Sequence, residues 1–336
     1  MTRPDPYCPE CADGPAVDRR GFLAAAAAAT VVPAVARAAA PSTPAAPAKP
    51  AEDLVRELFA GLSAEQKAKV VLPWDHGTKD GKGLPTRLGM YNAPFHKPSV
   101  IKDAYTKPQQ ELLDRIFRAV AGSDDGYEKL SRGGTFDNSG AFENIGAAIF
   151  GDPTEKKQFS LVFAGHHLTV RCDGNSEPGA AFGGPMYYGH TPNGYSERNV
   201  FFYQTKAVRG LFDALDDRQK KAATVKGNPG EQAASVQFRD QHPGMKLDAL
   251  SKDQQALVDS VLKTLVSPFR QEDGDEVLAI VKQNGGVGAV HLAFYEDAKM
   301  ADGQPWHFWR LEGPQFVWNF RVLPHVHTFV NIRGKA

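Results

Sequence analysis

Cysteine is scarce in this chain of 336 residues, which contains three: Cys8, Cys11 and Cys172. The first two form a Cys-x-x-Cys pair, which is typical of a zinc or redox site when a second pair or a thioredoxin-like strand and helix accompanies it. Neither accompanies it in this sequence. Cys172 is the one cysteine beyond the N-terminal region, so a disulfide within the folded domain is excluded. We predict that Cys172 is a small buried residue on a strand.

Net charge and familiar active-site motifs are also lacking. The 39 basic and 39 acidic side chains balance, so there is no basic stripe for nucleic acid, and we expect no nucleic-acid partner. The chain contains no Gly-x-Ser-x-Gly elbow, no Gly-x-x-x-x-Gly-Lys phosphate loop and no His-Glu-x-x-His zinc helix. These absences leave the enzyme class open.

A strongly apolar run of membrane-spanning length is missing as well. Asp18-Arg19-Arg20-Gly21-Phe22-Leu23 precedes a run of alanines, and the stretch ends in Ala36-Arg37-Ala38. This order of arginines, aromatic residue, weakly apolar core and Ala-x-Ala exit resembles a twin-arginine signal peptide. We therefore predict a signal peptide over residues 1–38, recognition by the twin-arginine translocation machinery, and a periplasmic or secreted product. A membrane anchor would need about 20 strongly apolar residues, so no stable anchor is expected.

The rest of the chain predicts one domain behind a short linker. Residues 39–52 are mostly alanine and proline and are expected to be the linker. Residues 53–334 are expected to fold as a single domain. Apolar spacing and capping residues predict helices at Leu54–Leu62, after Ser63 with Gln66 as its capping box, at Pro108–Ala121, at Gln204–Asp216, and at Lys252–Leu265 after a Ser251/Gln254 capping box.

Aromatic and β-branched runs predict the strands. They are Ala147–Phe150, Phe159–Val170, Val287–Tyr295, Trp306–Glu312, Phe316–Val322 and Val326–Asn331. The first two are expected to form a hairpin. Because helices and strands are segregated along the chain, we predict an α+β fold with several packed helices and a mainly antiparallel sheet in the C-terminal part.

The strongest candidate for chemistry is a pair of histidines near the end of the sequence. In Pro324-His325-Val326-His327 the two imidazoles stand two residues apart. Residues two apart on a strand point to the same face, so both rings can bind one metal ion. The alternative is a pair of packed or exposed histidines on an edge strand without a metal.

A second histidine pair lies in an apolar run, Phe163-Ala164-Gly165-His166-His167-Leu168. Adjacent strand residues face opposite sides, so one of the two can join His325 and His327 unless the strand bulges. We predict His166 as that metal ligand and His167 as a ligand-binding neighbour, and the opposite assignment stays open.

Three histidines would leave one coordination position open, as a catalytic site requires, so the expected cofactor is a single transition metal ion: zinc, iron or copper. The candidates for a fourth ligand or a nearby acid or base are His190, His307 and Glu312. The remaining histidines are expected at the surface or in the core, namely His76, His96, His242 and His291.

Arg310 and Glu312 interrupt an aromatic strand and share one of its faces. We predict that they bind a small-molecule ligand, and a mutual ion pair is the alternative. Trp306, Phe308 and Trp318 are expected to line a pocket if the protein binds its ligand without catalysis.

Two stretches carry a family resemblance: Gly165-His166-His167-Leu168, and the run from Phe308-Trp309-Arg310-Leu311-Glu312-Gly313-Pro314 through His325-Val326-His327. On these motifs the chain resembles DUF3500, a family of unknown function whose members are often exported bacterial proteins. The resemblance supports the choice of histidines, but it supplies no reaction.

These observations favour an exported metal-dependent enzyme, with hydrolysis of a small molecule as the default reaction. A redox metal would make it an oxidoreductase instead. The competing hypotheses are a non-catalytic protein that binds a metal or small ligand, and histidines that only form hydrogen bonds in the core.

Overall fold

The structure is a computed structural model that describes residues 50–154, 157–231, 233–297 and 303–334. From Pro50 onward the chain forms one compact unit. The predicted signal peptide, the Cys8–Cys11 pair and most of the predicted linker lie outside the described residues, so they stay predictions. No helix in the described ranges is long and apolar enough to cross a membrane.

The helices follow amphipathic stretches of the sequence. They are α1 (Ala51–Ala60), α2 (Ala64–Val70), α3 (Ile101–Ala104), α4 (Lys107–Ala121), α5 (Asp124–Ser131), α6 (Phe202–Asp213), α7 (Asp217–Ala223), α8 (Lys252–Val266) and α9 (Gln271–Gln283). Both predicted capping boxes are confirmed. Ser63 and Ser251 each accept a hydrogen bond from the backbone N–H three residues on, and each donates its own N–H to the glutamine there.

The strands of the described chain join one large sheet. They are β1 (Val71–Leu72), β2 (Gly146–Gly151), β3 (Phe159–Gly165), β4 (Leu168–Cys172), β5 (Met186–His190), β6 (Thr224–Lys226), β7 (Met245–Lys246), β8 (His291–Glu296), β9 (Phe308–Gly313), β10 (Phe316–Arg321) and β11 (Val326–Ile332). Their order is β1-β2-β3-β4-β5-β11-β10-β9-β8-β6, with β7 also paired to β8.

The sheet is mixed, which corrects the prediction of a mainly antiparallel sheet in the C-terminal part. The pairs β1–β2 and β6–β8 are parallel, and β2 to β5 place half of the sheet well before the C-terminal part. The short strands β1 and β6 directly follow helices α2 and α7, and this geometry returns the chain to the sheet edge in the parallel sense.

The C-terminal strands fit the prediction only in part. Val287–Ala289 is a turn of 3₁₀ helix instead of a strand, and β8 begins at His291. Gly286 has a φ of 68° just before this turn, and Gly288 lies within it. Glycine weakens a strand because it brings no side chain to pack and loses more backbone freedom on ordering.

The predicted strand Phe159–Val170 is two strands, which is a second correction. Gly165 of β3 pairs with Leu168 of β4, so His166 and His167 form a two-residue turn. His167 has a φ of 53°, a value that is uncommon for residues other than glycine and asparagine. The hairpin expected between the first two predicted strands is present, since β2 and β3 pair antiparallel.

The two faces of the sheet have different chemistry. On one face, alternate residues such as Phe163, Trp309 and Trp318 pack with the helices in one large apolar core. The opposite face carries buried polar side chains, which are those of Arg171, Arg310, Glu312, Asn319, Arg321 and His327. Segments 73–99, 227–231 and 235–243 contact this second face, for example through Asn319 Nδ2, which donates to the Gly230 carbonyl at 3.1 Å. The candidate site lies on this polar face.

Candidate metal centre

Three histidines from distant parts of the chain meet on the polar face. His327 Nε2 lies 2.9 Å from His325 Nε2 and 3.0 Å from His167 Nε2. The three side chains are buried, with 0, 3 and 2% exposure for His167, His325 and His327. Their ligand atoms all lie within 4.8 Å of one another, a spacing that suits one metal ion.

Strand β5 brings these histidines together because it lies between β4 and β11 in the sheet. Gly189 of β5 pairs with His327 and donates its N–H to the His167 carbonyl at 3.1 Å. A Cβ atom at position 189 would lie 2.3 Å from the Val326 carbonyl oxygen and 3.3 Å from the His167 side chain. A glycine at this position therefore lets the turn approach β11 closely.

The turn between β3 and β4 decides which neighbouring histidine faces the others. The structure brings His167 against His325 and His327, whereas the prediction from the sequence is His166, with His167 as the open alternative. The backbone N–H of His167 donates to Asn92 Oδ1 at 2.6 Å, and that of His166 donates to Ser139 Oγ at 2.9 Å. The His166 ring accepts from the Asn138 N–H through Nδ1 at 3.3 Å and lies beside the His167 ring. His166 and His167 lie in a turn, so the expectation that adjacent residues of a strand face opposite sides of the sheet does not apply to them.

Asp137 orients the His167 ring from its far side. Its carboxylate accepts from His167 Nδ1 at 2.9 Å and from His190 Nδ1 at 2.6 Å, and Arg132 Nε lies 3.4 Å away. Burial alone would raise the pKa of Asp137, but the two histidine hydrogen bonds and the Arg132 charge outweigh it and hold that pKa well below its ordinary value. Asp137 is therefore ionised and fixes the proton of His167 on Nδ1.

Glu231 and Arg321 flank the other two histidines. Glu231 Oε1 lies 3.2 Å from His327 Nδ1, and its Oε2 accepts from Arg321 Nη1 at 3.1 Å. Arg321 also donates from Nε to the His325 carbonyl at 3.0 Å, and its Nη2 lies 3.1 Å from His325 Nε2. Two of the three histidines thus have a carboxylate at Nδ1 and point Nε2 at the common centre.

Burial favours the neutral form of two histidines of the cluster, His167 and His327. It lowers the pKa of His167 well below the ordinary value, with partial compensation from Asp137. It lowers the pKa of His327 in the same way, and the nearby Arg321 charge adds to the effect. A neutral imidazole presents one lone pair, which is the form that binds a metal ion.

The proton positions then leave an electrostatic conflict at the centre. His167 carries its proton on Nδ1, so its Nε2 presents a lone pair. If His327 carries its proton on Nδ1, toward Glu231, its Nε2 lone pair meets that of His167. If the proton sits on Nε2 instead, the bare Nδ1 faces the Glu231 carboxylate. A cation between the Nε2 atoms removes the repulsion.

Arg310 and Glu312 lie elsewhere on the polar face. Arg310 donates to Glu312 through Nε at 2.7 Å and Nη2 at 3.0 Å, and Arg239 donates to the same carboxylate at 2.6 and 2.8 Å. The mutual ion pair weighed as the alternative is thus present. Arg310 Nη1 has no hydrogen-bond partner among the described residues. Ligand binding by this pair stays a prediction.

The remaining candidates are dispersed. His190 reaches the centre only through Asp137, Glu312 is held by two arginines, and His307 Nδ1 accepts from the Asp297 N–H at 3.1 Å. Trp306 and Trp318 belong to the helix-side core, whereas Phe308 packs with Tyr295 on the opposite face. These three aromatic residues therefore do not line one pocket, because the side chains of Phe308 and Trp318 point to opposite faces of the sheet.

Sequence reasoning missed the residues that support the histidines: Asn92, Arg132, Asp137, Glu231 and Arg321. Most of them lie in loops without a periodic signal, so no spacing in the sequence points to them. Arg321 is the exception, because antiparallel pairing of β10 with β11 places it directly opposite His327. A sequence-based alignment of those two strands would have found it.

Comparison with known proteins adds a family and no activity. The DUF3500 family model, described as "Protein of unknown function", matches residues 44–333. No curated protein and no solved structure matches the chain.

Proposed function

The chain belongs to the DUF3500 family, which assigns no activity, and from the site itself we propose that this protein is a metal-dependent hydrolase. His167, His325 and His327 bind one transition metal ion through Nε2. The ion lowers the pKa of a bound water or polarises a substrate oxygen at the position that the three histidines leave open.

One observation carries this proposal: the Nε2 atoms of three buried histidines converge, with His327 Nε2 lying 2.9 and 3.0 Å from the other two. Histidine nitrogens at about 2.0–2.1 Å from one tetrahedral ion lie roughly 3.3 Å apart, so each of these two distances has to widen by only a few tenths of an ångström to admit an ion. Carboxylates at Nδ1 of two ligands are the usual outer partners of metal-bound histidines. An all-nitrogen set suits zinc, iron or copper.

Metal content is the measurement that tests the site. The mature domain is purified without a metal-affinity tag and its metal is quantified by elemental analysis. We expect about one ion per chain, lost in the His325→Ala/His327→Ala double variant. The matched control is the His242→Ala/His291→Ala double variant. It removes a second pair of adjacent histidines, whose ring centroids lie 4.9 Å apart and which do not belong to the cluster. A metal-free wild type, with unchanged stability in the first variant, would remove the basis for a metalloenzyme.

Burial of the cluster favours a second candidate function, a non-catalytic protein that holds a metal or small ligand. Each of the three ligands is at most 3% exposed, and substrate must reach an open coordination position for catalysis. The metal-loaded protein should hydrolyse members of a panel of carboxylic and phosphate esters if it is an enzyme. Tight metal retention without turnover of any ester would favour the binding function.

Export is part of the same proposal. The order of parts in residues 1–38 supports twin-arginine translocation to the periplasm or medium, a route that carries folded proteins. Cell fractionation tests it: the Arg19→Lys/Arg20→Lys variant should remain in the cytoplasm while the wild type is exported. Equal distribution of the two proteins would rule the signal out.

A further inference from the structure

Arg321 occupies a defined position beside the proposed metal. It ends β10, is 6% exposed and pairs in register with His327. Its Nε donates to the His325 carbonyl at 3.0 Å and its Nη1 to Glu231 Oε2 at 3.1 Å. Two hydrogen bonds from different edges of a planar guanidinium fix its plane, so the direction of the third nitrogen, Nη2, is set by the fold.

That third nitrogen points to the atom that the metal would bind. Arg321 Nη2 lies 3.1 Å from His325 Nε2. A metal ion would use the Nε2 lone pair at about 2.0–2.1 Å, so the Arg321 guanidinium would lie beside the ion. An oxygen bound to the metal at the open position would be an acceptor for this guanidinium. Charged oxygens accept the strongest hydrogen bonds from a guanidinium.

The charges around the centre favour the same kind of ligand. Asp137 and Glu231 contribute two carboxylates, and Arg132 and Arg321 contribute two guanidiniums, all in contact with the histidines or with each other. These four charges balance without a metal. A divalent ion adds two positive charges to a buried region, where uncompensated charge is strongly unfavourable. An anionic ligand at the fourth position offsets that charge.

We infer that Arg321 selects an anionic oxygen, from a carboxylate or a phosphate group, as the fourth ligand of the metal, so that the substrate is an anionic small molecule. The inference rests on the proposed metal site. Arg321 is then a substrate-binding residue, and its hydrogen bonds to His325 and Glu231 orient its guanidinium group toward the metal.

Cobalt(II) provides a probe of this inference, because its visible absorption reports ligand exchange. The mature protein is loaded with cobalt, its cobalt content is measured, and acetate, inorganic phosphate and neutral acetamide are titrated. In wild type we expect acetate and phosphate to bind at least tenfold more tightly than acetamide. In Arg321→Gln the cobalt content should be retained, and both anions should bind at least tenfold more weakly.

Arg239→Gln is the matched control, because Arg239 lies on the same face, pairs with Glu312 and is half exposed. It should leave anion affinity unchanged. If Arg321→Gln fails to fold, Arg321→Lys replaces it: lysine keeps the charge but cannot hold three acceptors in one plane, so anion binding should weaken at least threefold.

The outcomes separate the two proposals. Cobalt bound at one per chain, with equal anion affinity in wild type and a folded Arg321 variant, overturns the role of Arg321 and leaves the metal site standing. Failure of wild type to bind cobalt overturns the metal site and this inference together.

Discussion

At the scale of single residues, the polar face of the sheet depends on charges that are paired away from water. Glu312 is 1% exposed and accepts hydrogen bonds from two arginines, one of which, Arg310, is equally buried. Such a pair adds little net stability over an apolar core, but breaking it leaves a buried charge without compensation.

Glu312→Ala should therefore destabilise the fold by about 3–5 kcal/mol, because the Arg310 guanidinium is left buried and unpaired. Urea unfolding measures the change. Glu65→Ala, which removes an exposed carboxylate paired with Lys69 on α2, is the control and should stay close to wild type. A small effect at Glu312 would mean that water reaches Arg310 in the folded protein.

The sequence predicted half of the site at this scale. His325 and His327 share a face because residues two apart do so on any strand. The choice between His166 and His167 depends on a tight turn that has neither glycine nor asparagine, so the usual turn signal was missing. Asp137 and Glu231 reach the histidines from loops, and contacts of that kind leave no periodic trace in a sequence.

At the scale of elements, local hydrogen bonds fix where helices begin. Ser251 and Gln254 satisfy backbone N–H groups that the first turn of α8 leaves without an intrahelical acceptor. Because a capping box spans four residues, the starts of α2 and α8 could each be predicted from four residues of sequence.

Ser251→Ala should lower the free energy of unfolding by about 1 kcal/mol, because the N-terminal cap of α8 is lost. Thermal unfolding checks this value. Ser260→Ala makes the same substitution at an exposed interior position of α8, where alanine is the better helix former, and should not destabilise the protein. Equal effects at the two serines would show that α8 does not need its cap.

Helix α9 is one of the elements that the sequence did not predict. α9 contains Gly274 and opens on the acidic run Gln271–Asp275, which suggests a loop until Val277, Ile280 and Val281 are seen to be buried. Tertiary packing supplies the stability that its local sequence does not.

At the scale of the whole molecule, the arrangement of strands was harder to predict than their existence. The segregated pattern indicated antiparallel neighbours, whereas β1 and β6 reach the two ends of the sheet in the parallel sense through helices. Nothing local distinguishes a two- or three-residue edge strand from a helix end. The mixed sheet follows from the global path of the chain.

Stability of the whole molecule should also depend on pH through Asp273. Burial raises the pKa of this carboxyl to about 6 from 3.8, although Arg270 lies 2.9 Å away. The folded state therefore binds the proton more tightly than the unfolded state, and this stabilisation is lost as pH rises from about 4 to above 6. A shift of this size corresponds to up to about 3 kcal/mol.

Asp273→Asn should remove this component, so that the variant gains stability relative to wild type as pH rises from 4 to 7. Urea unfolding at several pH values measures the difference. Asp213→Asn, at an exposed position on α6, should keep the wild-type profile. A constant difference between Asp273→Asn and wild type across this range would contradict the assignment.

The place of β11 in the sheet has a consequence for the order of events in a cell. The ribosome makes this strand after every other described strand, yet it lies between β5 and β10, near the middle. Without β11, strands β1 to β5 are not joined to strands β6 to β10. His167 then lacks His325 and His327, which lie 158 and 160 positions later in the sequence. The histidine cluster therefore cannot assemble before β11 has been synthesised, and an unfinished chain lacks the proposed metal site.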